Sequence, residues 1–201
     1  MNRALSRTVC TLLVLFGLNT YAATDNKNPP AVLIQTSQGN ITVELNPDKA
    51  PITVENFLRY VKSGHYEGTI FHRVIKHFMI QGGGYSSNFQ KIPTRSPIIN
   101  EADNGLKNSR GTIAMARTPD PHSATAQFFI NVVDNHGLDH RSKTSPDNWG
   151  YAVFGKVISG IDVVDKIRNI PTGSGGPFRS DLPRTRVVIE KISVIPDSAQ
   201  D

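Results

Sequence analysis

Arg73 lies within the run Phe71-His72-Arg73-Val74-Ile75-Lys76-His77-Phe78-Met79-Ile80-Gln81-Gly82-Gly83-Gly84, and no Asp or Glu occurs between Gly68 and Asn100. A guanidinium presents five donors in a rigid fork, stays protonated, and is costly to bury without a partner. Its partner must come from a distant part of the fold or from a ligand. Read with period two, Phe71, Arg73 and Ile75 share one strand face and His72 points to the other. That parity argues against a His72–Arg73 catalytic pair. Taken alone, Arg73 reads as an ordinary strand residue, solvated or paired with a remote acid. A second segment, Gln127-Phe128-Phe129-Ile130-Asn131, puts Gln127 and Phe129 on one face and Phe128 and Ile130 on the other. Thr112-Ile113-Ala114-Met115-Ala116-Arg117, entered through Gly111, has the same character.

Other chemistries lack their residues. There is no Gly-x-Ser-x-Gly elbow and no phosphate-cradling Gly-x-x-x-x-Gly-Lys, and Gly82-Gly83-Gly84 lacks dinucleotide spacing. His136 and His140 are four apart, but Gly137 and Asp139 between them read as loop, so the pair shares no helix face. No metal site and no cofactor are expected.

The elements that must position these residues are short. Val32–Thr36 and Ile41–Leu45, joined through Ser37-Gln38-Gly39-Asn40, read as strand, turn, strand. Val54, Phe57, Leu58 and Val61 follow the spacing of an amphipathic helix that Gly64 stops. Apolar stretches recur at 69–75, 78–81, 112–116, 128–132 and 151–157, with Gly-rich or Asn/Asp-rich turns between them. Ser159, with Asp162 three residues on, predicts the N-cap of a second helix carrying Ile161, Val164 and Ile167. The Gly/Pro-rich stretch 171–177 precedes a last strand over 187–194. Many short strands with two helices predict a mainly β domain, a closed or nearly closed antiparallel barrel with helical lids.

The ends read differently. Arg3 and Arg7 precede an apolar stretch, Val9 to Leu18, too short to span a bilayer, and Thr20-Tyr21-Ala22 offers a cleavage site. Residues 1–22 are therefore expected to be a secretory signal peptide cut after Ala22. Residues 23–30 are expected to be a flexible leader, 31–196 the domain, and 197–201 a frayed tail. The chain's one cysteine, Cys10, leaves with the signal. The mature chain then has no thiol, no disulfide and no cysteine nucleophile. Without Arg3 and Arg7, 20 basic residues face 17 acidic ones, a net charge of +3 against +5 for the whole chain. With no basic stripe interleaved with aromatics, nucleic-acid binding is not expected. Neither is a membrane role after signal cleavage.

Together, in order and spacing, Phe71-His72-Arg73, Phe78-Met79-Ile80-Gln81-Gly82-Gly83, Gly111–Ala116, Gln127-Phe128-Phe129-Ile130, Leu138-Asp139 and Val153–Val157 resemble the cyclophilin family of peptidyl-prolyl cis/trans isomerases, and specifically its exported bacterial members. The resemblance covers essentially the whole mature chain. It implies an eight-stranded antiparallel barrel closed by two α-helices, and proline-containing polypeptide segments as substrates. It also implies roles. Arg73 is similar to the catalytic arginine, with Gln81 and Gln127 orienting the bound peptide. Phe78, Met79, Phe129 and Leu138 match the walls of the proline pocket, and Ala116 with Arg117 a backbone rail along the peptide. Tyr151 stands where many members have a histidine. Gly137 stands where many eukaryotic members have a tryptophan, so weak cyclosporin binding is expected. Arg117 replaces a smaller polar residue and reads as a solvated surface charge.

The expected activity is peptidyl-prolyl isomerisation in an exported protein, periplasmic if the source is Gram-negative. No feature demands more than a monomer. Two other classes stand beside this one. A binding or chaperone module with little turnover would need only the apolar walls and not Arg73. An exported hydrolase built on His72 lacks a nucleophile at a convincing spacing.

Overall fold

The structure, a computed structural model, describes residues 29–196. The expected signal peptide, nearly all of the leader and the tail at 197–201 lie outside the described residues. The Pro30 carbonyl already accepts the Leu45 N–H at 2.8 Å, so the fold starts within the stretch read as leader.

Ten strands and two helices follow. The hairpin β1 (Ala31–Thr36) and β2 (Gly39–Leu45) alternates as its sequence requires, with Val32, Ile34, Ile41, Val43 and Leu45 buried. Helix α1 (Pro51–Lys62) carries Pro51 in its first turn, where the missing N–H costs nothing. It buries Val54, Phe57, Tyr60 and Val61. No side chain of its own caps it. Instead the Ile52 and Thr53 N–H groups donate to the Glu101 carboxylate at 3.1 and 2.8 Å. That acid compensates the orphan donors and positive end of the helix from 48 residues away.

Strands β3 (Thr69–Ile75), β4 (Met79–Ser86), β5 (Thr112–Met115), β6 (Phe128–Asn131) and β7 (Val153–Ser159) lead to α2 (Ile161–Arg168). A hairpin of β8 (Thr172–Gly175) and β9 (Phe178–Pro183) precedes β10 (Val188–Ile195). Eight strands close a barrel in the order β1-β10-β3-β4-β6-β5-β7-β2, with every neighbouring pair antiparallel. The shortest seam is between β10 and β3, where only Val188–Ile70 and Ile189–Thr69 are in register. Phe57, Tyr66, Phe71, Phe128 and Phe154 share the core with the aliphatic residues of β1 and β2. Each such fully buried side chain contributes about 1.5–3 kcal/mol. Phe57 and Phe71 each meet Phe128 edge-on, with centroids 5.7 and 6.0 Å apart.

Two expectations are corrected. Gly82–Gly84 is not a turn but the middle of β4. A Cβ at Gly83 would stand 2.8 Å from the Tyr66 ring, and one at Gly84 2.5 Å from the Gln127 side chain. Packing, not turning, explains these glycines. Ser159 ends β7 rather than capping α2; the cap is Gly160 at φ 82°, where a Cβ would lie 2.2 Å from the Asn40 carbonyl oxygen. The stretch 171–177, to which the sequence assigned no element, holds strand β8.

Candidate active site

A bulge in β3 sets the site. Phe71 pairs with Gly82 and Arg73 with Gln81, so His72 is an extra residue against β4. The alternation therefore breaks, and the expected common face of Phe71 and Arg73 does not exist. Phe71 and Val74 both enter the barrel interior, while Arg73 lines a hollow outside it. Ile75 packs on the same outer side, with Met79 and Phe129. His72 turns away from the hollow and packs between Tyr85 and Phe178, at centroid distances of 4.8 and 5.5 Å. Burial there lowers its pKa from 6.5 to about 4, with a smaller push from the Arg73 charge. It is neutral at pH 7.

Arg73 does have a carboxylate partner. Its Nε lies 3.6 Å from Asp181 Oδ2 on β9, and the Arg73 side chain keeps 45% of its exposure. This is a solvent-washed ion pair, not an internal clamp, so the fork remains available to the hollow.

The hollow has a volume of about 220 Å³ and brings together nine of the ten expected site residues. Met79 and Phe129 form its buried floor, each almost without solvent contact. Phe78, Leu138 and Tyr151 are half-buried walls, and Tyr151 meets Phe129 edge-on at 5.7 Å. Arg73, Gln81, Ala116 and Arg117 complete the lining. Gln127 lines a neighbouring hollow instead, together with Gln81 and Lys91, and its Oε1 accepts the Gln81 Nε2–H at 2.9 Å. Chemically, the arrangement offers an always-charged donor at the mouth of an apolar niche sized for a small ring. Among the described residues, no three His, Cys, Asp or Glu side chains gather where they could hold a metal ion.

Residues 31–194 match the family described as cyclophilin type peptidyl-prolyl cis-trans isomerase. The chain belongs to the cyclophilin-type peptidyl-prolyl cis-trans isomerases. It is 60% identical over 164 residues to peptidyl-prolyl cis-trans isomerase cyp18 of Streptomyces antibioticus, covering 82% of this chain and 98% of that protein. It is 48% identical to peptidyl-prolyl cis-trans isomerase A of Dickeya dadantii, over 97% of this chain and 99% of the relative. A crystal structure of a cyclophilin-type isomerase of Cryptosporidium parvum, in the presence of the dipeptide Ala-Pro, superposes with a TM-score of 0.67 at 30% identity. That match covers 83% of this chain and 99% of the other.

Two features of this cyclophilin differ from the sequence reading. Arg117 is not a solvated charge. Its Nε donates to the Gly150 carbonyl at 3.0 Å, its Nη1 to those of Thr118 and Pro119, and its Nη2 to that of Pro146 at 3.0 Å. The same guanidinium lies 4.6 Å from the Tyr151 ring centroid. Arg117 thus ties the loop before Tyr151 to the end of β5. Of the expected rail, the Ala116 N–H is already donated to the Gln127 carbonyl at 3.0 Å, and Ala116 and Arg117 both line the hollow.

The second feature is a buried amide network that carried no sequence signal. Asn108, fully buried, donates from Nδ2 to the carbonyls of Leu138 and Tyr151 and to Asp139 Oδ1, while its N–H donates to the same carboxylate at 2.7 Å. Its Oδ1 accepts from Asn131, and Asn135 donates to the Phe78 carbonyl and to Asn131 Oδ1, both at 2.7 Å. Three pocket walls therefore hang from one set of amides. At the rim, a side chain added to Gly137 would meet nothing within 4 Å, so the edge beside Leu138 is open. Trp149 does not fill it, being packed between His122 and His140.

Proposed function

We propose that Arg73 accelerates Xaa-Pro isomerisation by donating a hydrogen bond to the prolyl nitrogen as the bond twists. The peptide barrier, roughly 18–20 kcal/mol, comes from conjugation of the nitrogen lone pair with the carbonyl. Twisting localises that pair and makes the nitrogen basic. A donor aimed at it stabilises the twisted state more than either planar form, which is the condition for catalysis. The observation that carries this reading is the convergence of an exposed-tipped guanidinium with the Met79–Phe129 floor in one hollow. The apolar walls grip the pyrrolidine ring, and Gln81, steadied by Gln127, holds the carbonyl side. Each tenfold in rate needs about 1.4 kcal/mol, within the reach of a charge-assisted bond in a partly dry site.

Arg73→Ala should lower kcat/KM on a short Xaa-Pro peptide by on the order of 10²-fold, as for other preorganised donors. NMR exchange spectroscopy on that peptide measures it, with the thermal midpoint checked to show that the fold is kept. Unchanged turnover would overturn the role of Arg73.

The clients in this reading are unfolded or flexible exported proteins. It is supported by the basic, apolar and small-residue succession at 1–22 and by the absence of cysteine after Cys10. A Gram-negative source would make the protein periplasmic. A monomer suffices, since one chain supplies every wall of the hollow, and the open rim at Gly137 favours only weak cyclosporin binding.

A further inference from the structure

We propose that Asp181 is a positioning residue for Arg73, presented by a hairpin that the β3 bulge itself anchors. The inference rests on the reading of Arg73 as the group that acts on the prolyl nitrogen.

Asp181 sits at φ 64°, in the left-handed region that non-glycine residues seldom adopt. Among the described residues only one other non-glycine residue has a positive φ, Phe89 at 68°. Both belong to the same outer patch. The Phe89 ring meets Phe178 edge-on at 5.9 Å, and Phe178 stacks on His72 and meets Tyr85 at 4.9 Å. A Cβ at Gly176, in the β8–β9 turn, would be 2.5 Å from the Phe89 ring, so the turn is pressed against it. The bulge therefore does two things at once. It turns Arg73 toward the hollow, and it turns His72 outward as the seat on which Phe178 docks the hairpin. Three residues beyond Phe178, β9 delivers the Asp181 carboxylate to Arg73 Nε.

An exposed ion pair at this distance adds little to stability, and a left-handed aspartate is itself unfavourable. Stability is thus a poor explanation for the arrangement. Orientation is a better one. Arginine is long and rotamer-rich, and a carboxylate on Nε restrains the fork while leaving both terminal nitrogens for the pocket. Restraint of a donor needed only in the twisted state acts on kcat and not on the ground-state complex.

The test compares Asp181→Asn, which keeps the shape and tolerates the left-handed backbone, with Asp181→Gly, which relaxes that backbone. Wild type, both variants and Arg73→Ala are measured on a short Xaa-Pro peptide, separating kcat from KM. The expected result is a three- to tenfold loss of kcat in both Asp181 variants, with KM within twofold and the thermal midpoint not lowered. The Arg73 Nε–Hε resonance should exchange with water faster in Asp181→Asn, and adding that change to Arg73→Ala should cost nothing further. An unchanged or raised kcat, or an unaltered Hε resonance, overturns the positioning role. If Arg73→Ala is inactive while Asp181→Asn equals wild type, this inference alone fails; if Arg73→Ala stays active, the catalytic reading fails with it.

Discussion

The two walls of the hollow are built on different principles. Arg73, Met79, Gln81 and Phe129 stand on or against β3, β4 and β6, strands paired on both sides within the closed barrel. Their directions follow from strand register and one bulge. Leu138 and Tyr151 lie outside any strand; one main-chain bond, from the Tyr151 N–H to the Leu138 carbonyl at 2.9 Å, joins them, and Asn108 and Arg117 hold the carbonyls around them. One wall is held by repetitive main-chain pairing, the other by a few side chains that no repetition supports. The loss of a single polar side chain should therefore cost the first less than the second.

The sharpest way to break this contrast is Asn108→Ala. It removes one buried partner each from the carbonyls of Leu138 and Tyr151, the Asp139 carboxylate and the Asn131 amide, while Leu138 keeps the Tyr151 N–H, Asp139 the residue-108 N–H and Asn131 the Thr112 hydroxyl. We expect a loss of about 3–4 kcal/mol in chemical denaturation, with KM raised more than kcat is lowered. A smaller cost than 1 kcal/mol would mean that the loop wall has other support.

The strand wall answers to pH. His72 has a folded pKa of about 4 against 6.5 unfolded, so below pH 6.5 the unfolded chain binds the proton more readily. Its contribution to stability is whole above pH 6.5 and is lost as pH falls toward 4, to a limit of about 3 kcal/mol. In His72→Phe this part of the acid slope should vanish, as read by urea midpoints at pH 7 and pH 4.5. Equal slopes would show that His72 is not buried as a neutral ring.

The smallest expected effect lies at the open rim. Gly137→Trp places an aromatic in unoccupied space beside Leu138, and cyclosporin affinity by titration calorimetry should rise about tenfold, near 1.4 kcal/mol. Stability should hardly move, because no existing contact is displaced.

Sequence and structure agree where periodicity governs. The β1–β2 hairpin, the α1 apolar face and the split of Phe128 from Phe129 follow from alternation or helical spacing. Nine of ten pocket residues meet in one hollow because they lie on or next to such elements. What was not legible is non-local. The His72 bulge shifts parity by one residue, and nothing in Phe71-His72-Arg73 marks it. Glu101 capping α1, the bonds of Asn108 and Arg117's bonds to the Gly150 and Pro146 carbonyls join segments far apart in the chain, so no local pattern announces them. Gly82–Gly84 misled for the opposite reason: a run that usually bends the chain here makes room for Tyr66 and Gln127.

Closure of the barrel bears on the company this enzyme keeps. Extended, unfolded chains seek any sheet margin along which to lay themselves as an extra strand. Each of the eight barrel strands has a neighbour on either side, and the seam is short only between β10 and β3, so such a chain finds little margin there to zip onto. It can be held only at the pocket mouth, by side chains and the short main-chain stretch at Ala116 and Arg117, and so it is let go.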